Sequence, residues 1–517
     1  MKIDCLLIGH NQMAFSEYEQ KVRLLGTNSC AYRDLGMNII QRDDKKISFT
    51  EFFNESYTNH APLTICESFN AAIAHIGTYL NKEGINFEFI NSFQEEKPDL
   101  IHILQNYTIL TIAIVTTLYT SVFPILEIIE LIKKNNDKAK IVIGGPFMST
   151  YIRNRGKNED DFFLKKILKA DYYINSFQGA QTLADLIKSL KTGSGVTNID
   201  NLIYRSDNQI VYNPETNDII PIQNDVVNWD LFKDRIKKVV NVRTTISCPF
   251  KCSFCGFPER AGEYQLLDIV LIEKQLKQLN ALSQLKIVHF IDDTFNVPPK
   301  RFKDILKMMI KNRFQFQWHS YFRCQYADKE MVQLMKESGC AGVFLGIESG
   351  DNAILQNMNK SVKVEDYLRG IEFLKEQNIT TFGNFIIGFP GETQTTVHNT
   401  INFIKNSGLD FYRCQLWYYE HITPIWNQRE KFHITGESFE WKHDSMSSLE
   451  ACSYLEDILI SVEDPVYLPL YDFDFASLWF LICRGFSMEK IKEILKNFRN
   501  EVKENILRRK INLPINN

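Results

Sequence analysis

The chain lacks any apolar run long enough to cross a membrane. Its most apolar stretch, Ile109 to Val115, is followed by Thr116, Thr117, Tyr119, Thr120 and Ser121, far short of the ~18 continuous apolar residues that a span needs. No membrane association is expected. No block of Lys and Arg is long enough to form a nucleic-acid arm, and a formal net charge of -4 with a pI near 6.3 supplies no basic field. Nucleic acid is not an expected partner. The opening Met-Lys-Ile-Asp-Cys has no signal-peptide apolar core, and eleven Cys, an odd number in a chain of this size, do not read as a disulfide framework. A reducing cytoplasm is expected. The remaining composition, 44% hydrophobic and 24% charged over 517 residues, is that of a globular protein, and at roughly 100–200 residues per domain it implies about three domains.

One cluster stands out near the middle of the chain. Cys248, Cys252 and Cys255 form C-P-F-K-C-S-F-C, and no further Cys or His follows within thirty residues. Structural zinc takes four ligands and usually finds the last one nearby, so a zinc knuckle or a disulfide pair fits poorly. Three thiolates can instead hold three irons of a cubic iron–sulfur cluster and leave one iron open. An open, electron-rich iron can chelate the amino and carboxylate groups of S-adenosylmethionine and cleave it reductively. The cysteine triad is therefore the candidate catalytic and metal site.

In the first two hundred residues, short apolar runs alternate with helical patterns. The runs are Cys5 to Ile8, Phe87 to Ile90, Leu110 to Val115, Ile141 to Ile143 and Tyr172 to Ile174; the helical patterns are Asn70 to Leu80, Ile125 to Ile132 and Thr182 to Leu190. This alternation predicts a parallel sheet with helices on both faces, and ligands in such sheets sit beyond the carboxyl ends of the strands. Two strand ends carry chemistry there: Thr116-Thr117, whose hydroxyls can bond a ligand edge, and Gly144-Gly145-Pro146, where the backbone can come close to a flat or bulky ligand. A Gly-Gly-Pro tract is equally at home in a plain turn. Residues 38 to 59 read as a polar insertion. Residues 193 to 234 read as a linker carrying a hairpin around Ser206-Asp207-Asn208.

From residue 235 the chain repeats strand then helix: Ile287 to Ile291, Gln315 to Ser320, Gly342 to Ile347 and Thr381 to Ile387, each followed by a helical pattern. Such units close into a full or partial barrel with its chemistry on the carboxyl-terminal rim. The cysteine loop, Asp292-Asp293-Thr294, Arg323, Glu348-Ser349 and Gly388 to Glu392 all fall on that rim. The tail from 426 is aromatic at Phe439-Glu440-Trp441-Lys442-His443 and then helical, and its aromatics suit either a pocket or plain domain packing. Its last, charged helix suits a solvated or partner-binding face.

The strand ending Val115-Thr116-Thr117, the Pro124-led helix, Gly144-Gly145-Pro146, Asp171 to Ile174 and Gly179 together resemble the cobalamin-binding domain found ahead of many radical SAM enzymes. The resemblance covers roughly residues 1 to 200, and it implies that Thr116, Thr117, Gly144, Gly145 and Gly179 line a cobalamin. This chain departs from the family at Gln178-Gly179-Ala180-Gln181, where an acidic Glu-Gly-Glu-type run is usual. It also lacks Asp-x-His-x-x-Gly, since Asp99-Leu100-Ile101-His102 has the wrong spacing. No histidine is expected on the lower face of cobalt, and His10, at the end of the first strand, is the only rival by position.

The triad loop, Phe-Ile-Asp-Asp-Thr-Phe, Gly-Ile-Glu-Ser-Gly at 346 to 350 and Phe-Ile-Ile-Gly-Phe-Pro-Gly-Glu-Thr at 385 to 393 resemble radical SAM enzymes over residues 235 to 425. This resemblance implies that Cys248, Cys252 and Cys255 ligate a [4Fe-4S] cluster and that Phe254 packs on the adenine side. It also implies that Glu348 and Ser349 hold the ribose or methionyl part of S-adenosylmethionine, and that Gly388 to Pro390 lie along the adenine. The opening Gly-His-Asn-Gln-Met, Leu25 to Ser29, Ala31-Tyr32-Arg33-Asp34-Leu35 and the Phe-Glu-Trp-Lys-His of the tail are similar to the phosphinate P-methyltransferase family of natural-product pathways.

The expected architecture is α/β: an N-terminal Rossmann-like cobalamin-binding domain (1–192), a linker with a hairpin (193–234), a central partial (β/α)6 radical SAM barrel (235–425) and a C-terminal, mostly helical cap (426–517). The expected activity is methyl transfer through methylcobalamin to an unactivated carbon or a phosphinate phosphorus. The substrate is expected to be a small molecule or to be tethered to a peptide, and the reductant a flavodoxin or ferredoxin. The rivals are a radical rearrangement or oxidation without methyl transfer, and a cobalamin or iron–sulfur sensor.

Overall fold

The structure is a computed structural model. It describes residues 2–512 apart from 25, 43–44, 61, 65–66, 118, 120, 155–160, 208 and 217–218. Leu25 and Asn208 of the motifs above therefore lie outside the described residues. The chain divides into two compact units. One consists of residues 1–14, 68–241 and 260–282, the other of residues 15–67, 242–259 and 283–517.

The first unit is built on a seven-stranded sheet. Its strands are β1 (Lys2–His10), β2 (Phe87–Ser92), β3 (Thr108–Val115), β4 (Lys140–Gly144), β5 (Tyr172–Ile174), β6 (Leu202–Ser206) and β7 (Gln209–Tyr212), in the spatial order β7-β6-β5-β4-β3-β1-β2. β1 to β5 are mutually parallel. Their near-continuous apolar sequences, such as the Thr108–Val115 run TILTIAIV, are those of strands covered on both faces. The chain runs from β1 to one neighbour, β2, and then crosses to the other side, β3, so the strand order reverses between β1 and β3. The hairpin read as part of a linker is instead the antiparallel edge of this sheet, with β6 pairing to β5.

In the second unit, β8 (Ile287–Phe290), β9 (Gln317–Phe322), β10 (Cys340–Glu348), β11 (Thr380–Ile387), β12 (Phe411–Leu416) and β13 (Val466–Tyr467) lie side by side in that order, all parallel. Helices Pro299–Asn312, Lys329–Glu337, Val364–Glu376 and Gln394–Asn406 connect them. The last of these strands, Val466–Tyr467, comes from beyond residue 425. At one end of this sheet His289 and His319 stack at 4.2 Å, and His319 stacks on Trp479 at 5.5 Å. Burial lowers the His289 pKa to about 3, which keeps the imidazole neutral.

Residues 15–67 differ most from the sequence reading. They form helices Phe15–Arg23, Cys30–Gly36 and Phe49–Ser56 around a short hairpin, Ile39–Arg42 with Lys45–Ser48. These elements pack on the tail helices rather than on the N-terminal sheet. Arg33 pairs with Glu456 at 2.9 Å, Arg42 with Glu501 at 2.7 Å, and Phe49 sits 4.4 Å from Phe473 and 5.3 Å from Phe498. The insertion is a third layer of the second unit. The tail is helical at Ser448–Ser461, Ser477–Cys483 and Met488–Asn512, but it also holds a three-stranded sheet spanning Thr435–Glu437, Glu440–His443 and Met446–Ser447.

Candidate active site

On the rim of the second unit, the cysteine loop begins at Ser247, whose φ of 66° turns the chain sharply out of Thr245–Ile246. Three backbone contacts fix the loop: Ser253 N–H donates to the Met358 carbonyl at 2.8 Å, Asn359 Nδ2 to the Lys251 carbonyl at 2.7 Å, and Ile425 N–H to the Ser253 carbonyl at 2.9 Å. Cys252 is buried, whereas Cys248 and Cys255 are partly exposed. Cys255 also lines an open cavity of about 650 Å³ with Lys251, Ser253, Asn357, Asn359 and Lys431. Burial raises the thiol pKa of Cys248, and that of Cys255 to about 11, the opposite of the electropositive surroundings that activate a lone nucleophilic cysteine.

Arg323 is the cation of this loop. Its guanidinium lies 3.5 Å from the centre of the Phe250 ring and donates through Nη2 to Cys252 Sγ at 3.4 Å. Asn296 fixes it by exchanging two 2.9 Å bonds with the Arg323 backbone. A cation on a thiolate stabilises the anionic form that metal requires. Among the described residues no three His, Cys, Asp or Glu side chains converge on a point suited to one metal ion. A cubane makes a different demand, since each cysteine takes a separate iron. Three cysteines on a pinned loop, one facing a cavity and one carrying an arginine, fit that demand.

Glu348, at the end of β10, has φ of 68°, and the pairing register with β11 shifts beside it. Its carboxylate accepts from Lys360 Nζ at 2.8 Å and from Asn384 Nδ2 at 3.4 Å, while the Asn384 Oδ1 is buried without a partner. Lys360 Nζ also lies 5.4 Å from the Phe254 ring. A strained acidic residue in a buried ion pair beside an unsatisfied amide marks a site held for something else. Ser349 does not share it. Its hydroxyl lies 3.3 Å from the Thr400 Oγ1 and accepts from Asp351 N–H at 3.1 Å, and the residue is fully buried. It ties the loop to the helix Gln394–Asn406 rather than presenting a hydroxyl to a ligand.

The Gly388-Phe389-Pro390 turn is similarly committed. Gly388 N–H donates to Glu392 Oε2 at 2.5 Å, and its carbonyl is 3.0 Å from His443 Nε2. With φ of 97°, a Cβ there would stand 2.3 Å from the Trp441 ring. The Pro390 carbonyl accepts from Asn357 Nδ2 at 3.0 Å. What this turn offers a ligand is apolar surface, with Phe254 edge-on to Phe389 at 6.5 Å. The Phe-Glu-Trp-Lys-His tract of the tail is the support for this turn, and Glu440 of the same tract accepts from Cys30 N–H at 2.9 Å. Two tracts far apart in sequence are thus neighbours.

The two rim aspartates separate cleanly. Asp292 is buried and accepts from Thr244 N–H at 2.7 Å, Thr244 Oγ1 at 2.5 Å and Thr245 N–H at 2.8 Å, so it clasps the entry to the cysteine loop. Asp293 is exposed to solvent yet sits in a concave rim. Burial, then Asp292, raises its pKa to about 7. Sequence alone did not single out Lys360, Asn384 or the difference between the two aspartates.

In the first unit, Thr116 Oγ1 donates to the Gly144 carbonyl at 2.8 Å and is fully buried. It clamps the ends of β3 and β4 together rather than bonding to a ligand. Gly145 has φ of 109°, and a Cβ there would come within 3.1 Å of Thr116 Oγ1. Gly179 has φ of 60°, and a Cβ there would lie 3.0 Å from Ile174. A Cβ at Gly144 would lie 3.2 Å from the same Ile174, and Thr117 is partly exposed at this edge. Four buried polar atoms beyond the strand ends have no hydrogen-bond partner among the described residues: His10 Nδ1, Ser149 Oγ, Asn175 Oδ1 and Gln178 Nε2. Buried polar groups are rarely left unpaired, and these follow β1, β4 and β5 on one edge of the sheet. They fit a large polar ligand at this edge.

Comparison with known proteins agrees with this geometry. Residues 242–404 match the model of the Radical SAM superfamily. The chain is 25% identical to an uncharacterised methyltransferase of Pyrococcus horikoshii over 57% of its length and 64% of the relative's. It is 30% identical to the bacteriochlorophyllide d C-12(1)-methyltransferase of Chlorobaculum tepidum over 34% of its length and 40% of the relative's. The chain thus spans less than two thirds of these relatives. Its fold is that of the radical S-adenosylmethionine methyltransferase TsrM of Kitasatospora setae, solved with cobalamin and a [4Fe-4S] cluster (TM-score 0.57, 18% identity, 69% of this chain and 71% of that one). It is also that of the cobalamin-dependent S-adenosylmethionine radical enzyme OxsB (TM-score 0.55, 16% identity, 78% and 52%).

Proposed function

We propose that this chain is a cobalamin-dependent radical SAM methyltransferase acting in natural-product biosynthesis on an unactivated carbon or a phosphinate phosphorus. The observation that carries the reading is the pinned Cys248-Cys252-Cys255 loop, three thiols close together in sequence, with Cys255 on an open cavity. In this reading a [4Fe-4S] cluster and S-adenosylmethionine supply the radical, and cobalamin supplies the methyl group. Cys248, Cys252 and Cys255 hold the cluster, and Arg323 donates to the Cys252 sulfur. Phe254 and the Gly388 to Pro390 turn flank the adenine. Glu348, positioned by Lys360, accepts hydrogen bonds from ribose or ammonium. Gly144, Gly145, Thr117 and Gly179 form the cobalamin edge of the first unit. The substrate is a small molecule or a peptide-tethered group, and the electron donor is of the flavodoxin or ferredoxin class.

The test is anaerobic reconstitution with iron, sulfide and hydroxocobalamin, followed by S-adenosylmethionine labelled in its methyl group and a chemical reductant. About four irons and one corrinoid per chain, with formation of 5′-deoxyadenosine and labelled methylcobalamin, are expected. Iron binding without any 5′-deoxyadenosine would contradict the enzyme reading. 5′-Deoxyadenosine without label reaching the corrinoid would favour a radical rearrangement or oxidation.

A further inference from the structure

In an open parallel sheet, ligands bind where the strand order reverses, beyond the carboxyl ends of the two strands that flank the reversal. Here those strands are β1 and β3, and the last residue of β1 is His10. Its Nδ1 is buried without a partner, and among the described residues neither ring nitrogen makes a hydrogen bond. The ring is held nonetheless. It stacks on Tyr119 at 5.3 Å and 25°, and the Tyr119 hydroxyl accepts from Asn11 N–H at 2.7 Å and donates to the Gly9 carbonyl at 3.3 Å. Asn11 is fixed in turn: its Nδ2 donates to the Pro124 carbonyl at 3.0 Å and to Glu127 at 2.9 Å, and its Oδ1 accepts from Gln94 at 2.8 Å. Lys97 completes this layer with a 2.9 Å bond to Glu127.

A histidine oriented by a fully bonded shell, yet with no hydrogen bond of its own, is arranged as ligands of metals are, where a second layer fixes the ring and leaves a nitrogen to the metal. Burial lowers its pKa to about 4, so near neutral pH it carries a free lone pair. We infer that His10 is an axial ligand of the corrinoid cobalt, donating its imidazole lone pair on the lower face and displacing the water or nucleotide base there. This departs from the expectation of a lower face without histidine, in which His10 stood only as a rival by position. The inference rests on the proposed binding of cobalamin.

The test uses the full chain loaded with cob(II)alamin under anaerobic conditions, without cluster reconstitution or turnover. An axial nitrogen splits the cobalt lines of the electron paramagnetic resonance spectrum, into triplets for nitrogen-14 and doublets for nitrogen-15. Protein labelled with nitrogen-15 histidine and loaded with unlabelled cobalamin is expected to show doublets. The doublets are expected to vanish in His10→Gln, which keeps a side chain of similar reach. Triplets in the labelled protein, no nitrogen splitting, or doublets that survive in His10→Gln would each overturn the assignment. If the protein retains no corrinoid after gel filtration, the cobalamin reading itself falls; corrinoid retained without histidine splitting removes only the role of His10.

Discussion

The two ligand-facing edges of this molecule carry their buried polar groups differently. On the rim of the second unit charged and backbone groups are held in pairs, Glu348 with Lys360, Asp292 with Thr244 and Thr245, Gly388 with Glu392 and His443, although Ser247 Oγ, Arg323 Nη1, Asn384 Oδ1 and Glu392 Oε1 are buried there without partners among the described residues. At the strand ends of the first unit, His10, Ser149, Asn175 and Gln178 keep buried atoms without partners. The difference teaches what each edge is built to receive. A rim of fixed dipoles and ion pairs is preorganised around small, charged chemistry. An edge of glycines and unsatisfied groups is completed only by a large ligand that brings its own donors and acceptors.

If the rim is held by its pairs, breaking one has the largest effect. Lys360→Met leaves the Glu348 carboxylate buried and uncompensated, and is expected to cost about 3–5 kcal/mol in urea denaturation; the double change with Glu348→Gln should recover much of the loss. Next is Gly388→Ala, whose added methyl must displace the Trp441 ring 2.3 Å away. A loss of about 2 kcal/mol is expected, and an unchanged denaturation midpoint would mean that the turn is looser than it stands here.

Glu392 sharpens the comparison through pH. Burial raises its native pKa to about 8 from an ordinary value of 4.5. Between those values the folded chain holds a proton that the unfolded chain has released, so stability falls as pH rises through that window. Glu392→Gln is expected to flatten the thermal midpoint from pH 5 to 8; an equally steep profile in the variant would assign the dependence to other groups. Ser349→Ala removes one buried hydrogen-bonding hydroxyl and should cost about 1 kcal/mol without changing the affinity for S-adenosylmethionine. At the other edge, Ser149→Ala and Asn175→Ala remove Ser149 Oγ and Asn175 Oδ1, which have no partner among the described residues. In the absence of corrinoid they should shift stability by less than about 0.5 kcal/mol, and a larger loss would show that the edge is already satisfied.

Much of this was legible in the sequence. Apolar runs such as Leu110 to Val115 name their strands because both faces are covered, and the cysteine spacing marks a loop because a strand end at Ile246 stands just before it. Other features were not legible, because they depend on partners distant in the chain. Ser349 and Thr116 read as ligand contacts until Thr400 and the Gly144 carbonyl prove to hold them. Residues 15–67 follow β1 in sequence but bury Phe49 against Phe473 and Phe498, more than 400 residues away. Lys360 lies in a polar stretch that looks like a loop, and only its burial against Glu348 shows its role.

In the proposed enzyme the labour is divided between a thiolate-held cluster in the second unit and a corrinoid in the first. This division is tested most directly by Cys252→Ala, reconstituted anaerobically with iron, sulfide and hydroxocobalamin and assayed for absorbance and 5′-deoxyadenosine. The account predicts loss of the iron–sulfur absorbance and of 5′-deoxyadenosine with the corrinoid still bound. Loss of the corrinoid while S-adenosylmethionine cleavage persists would contradict it.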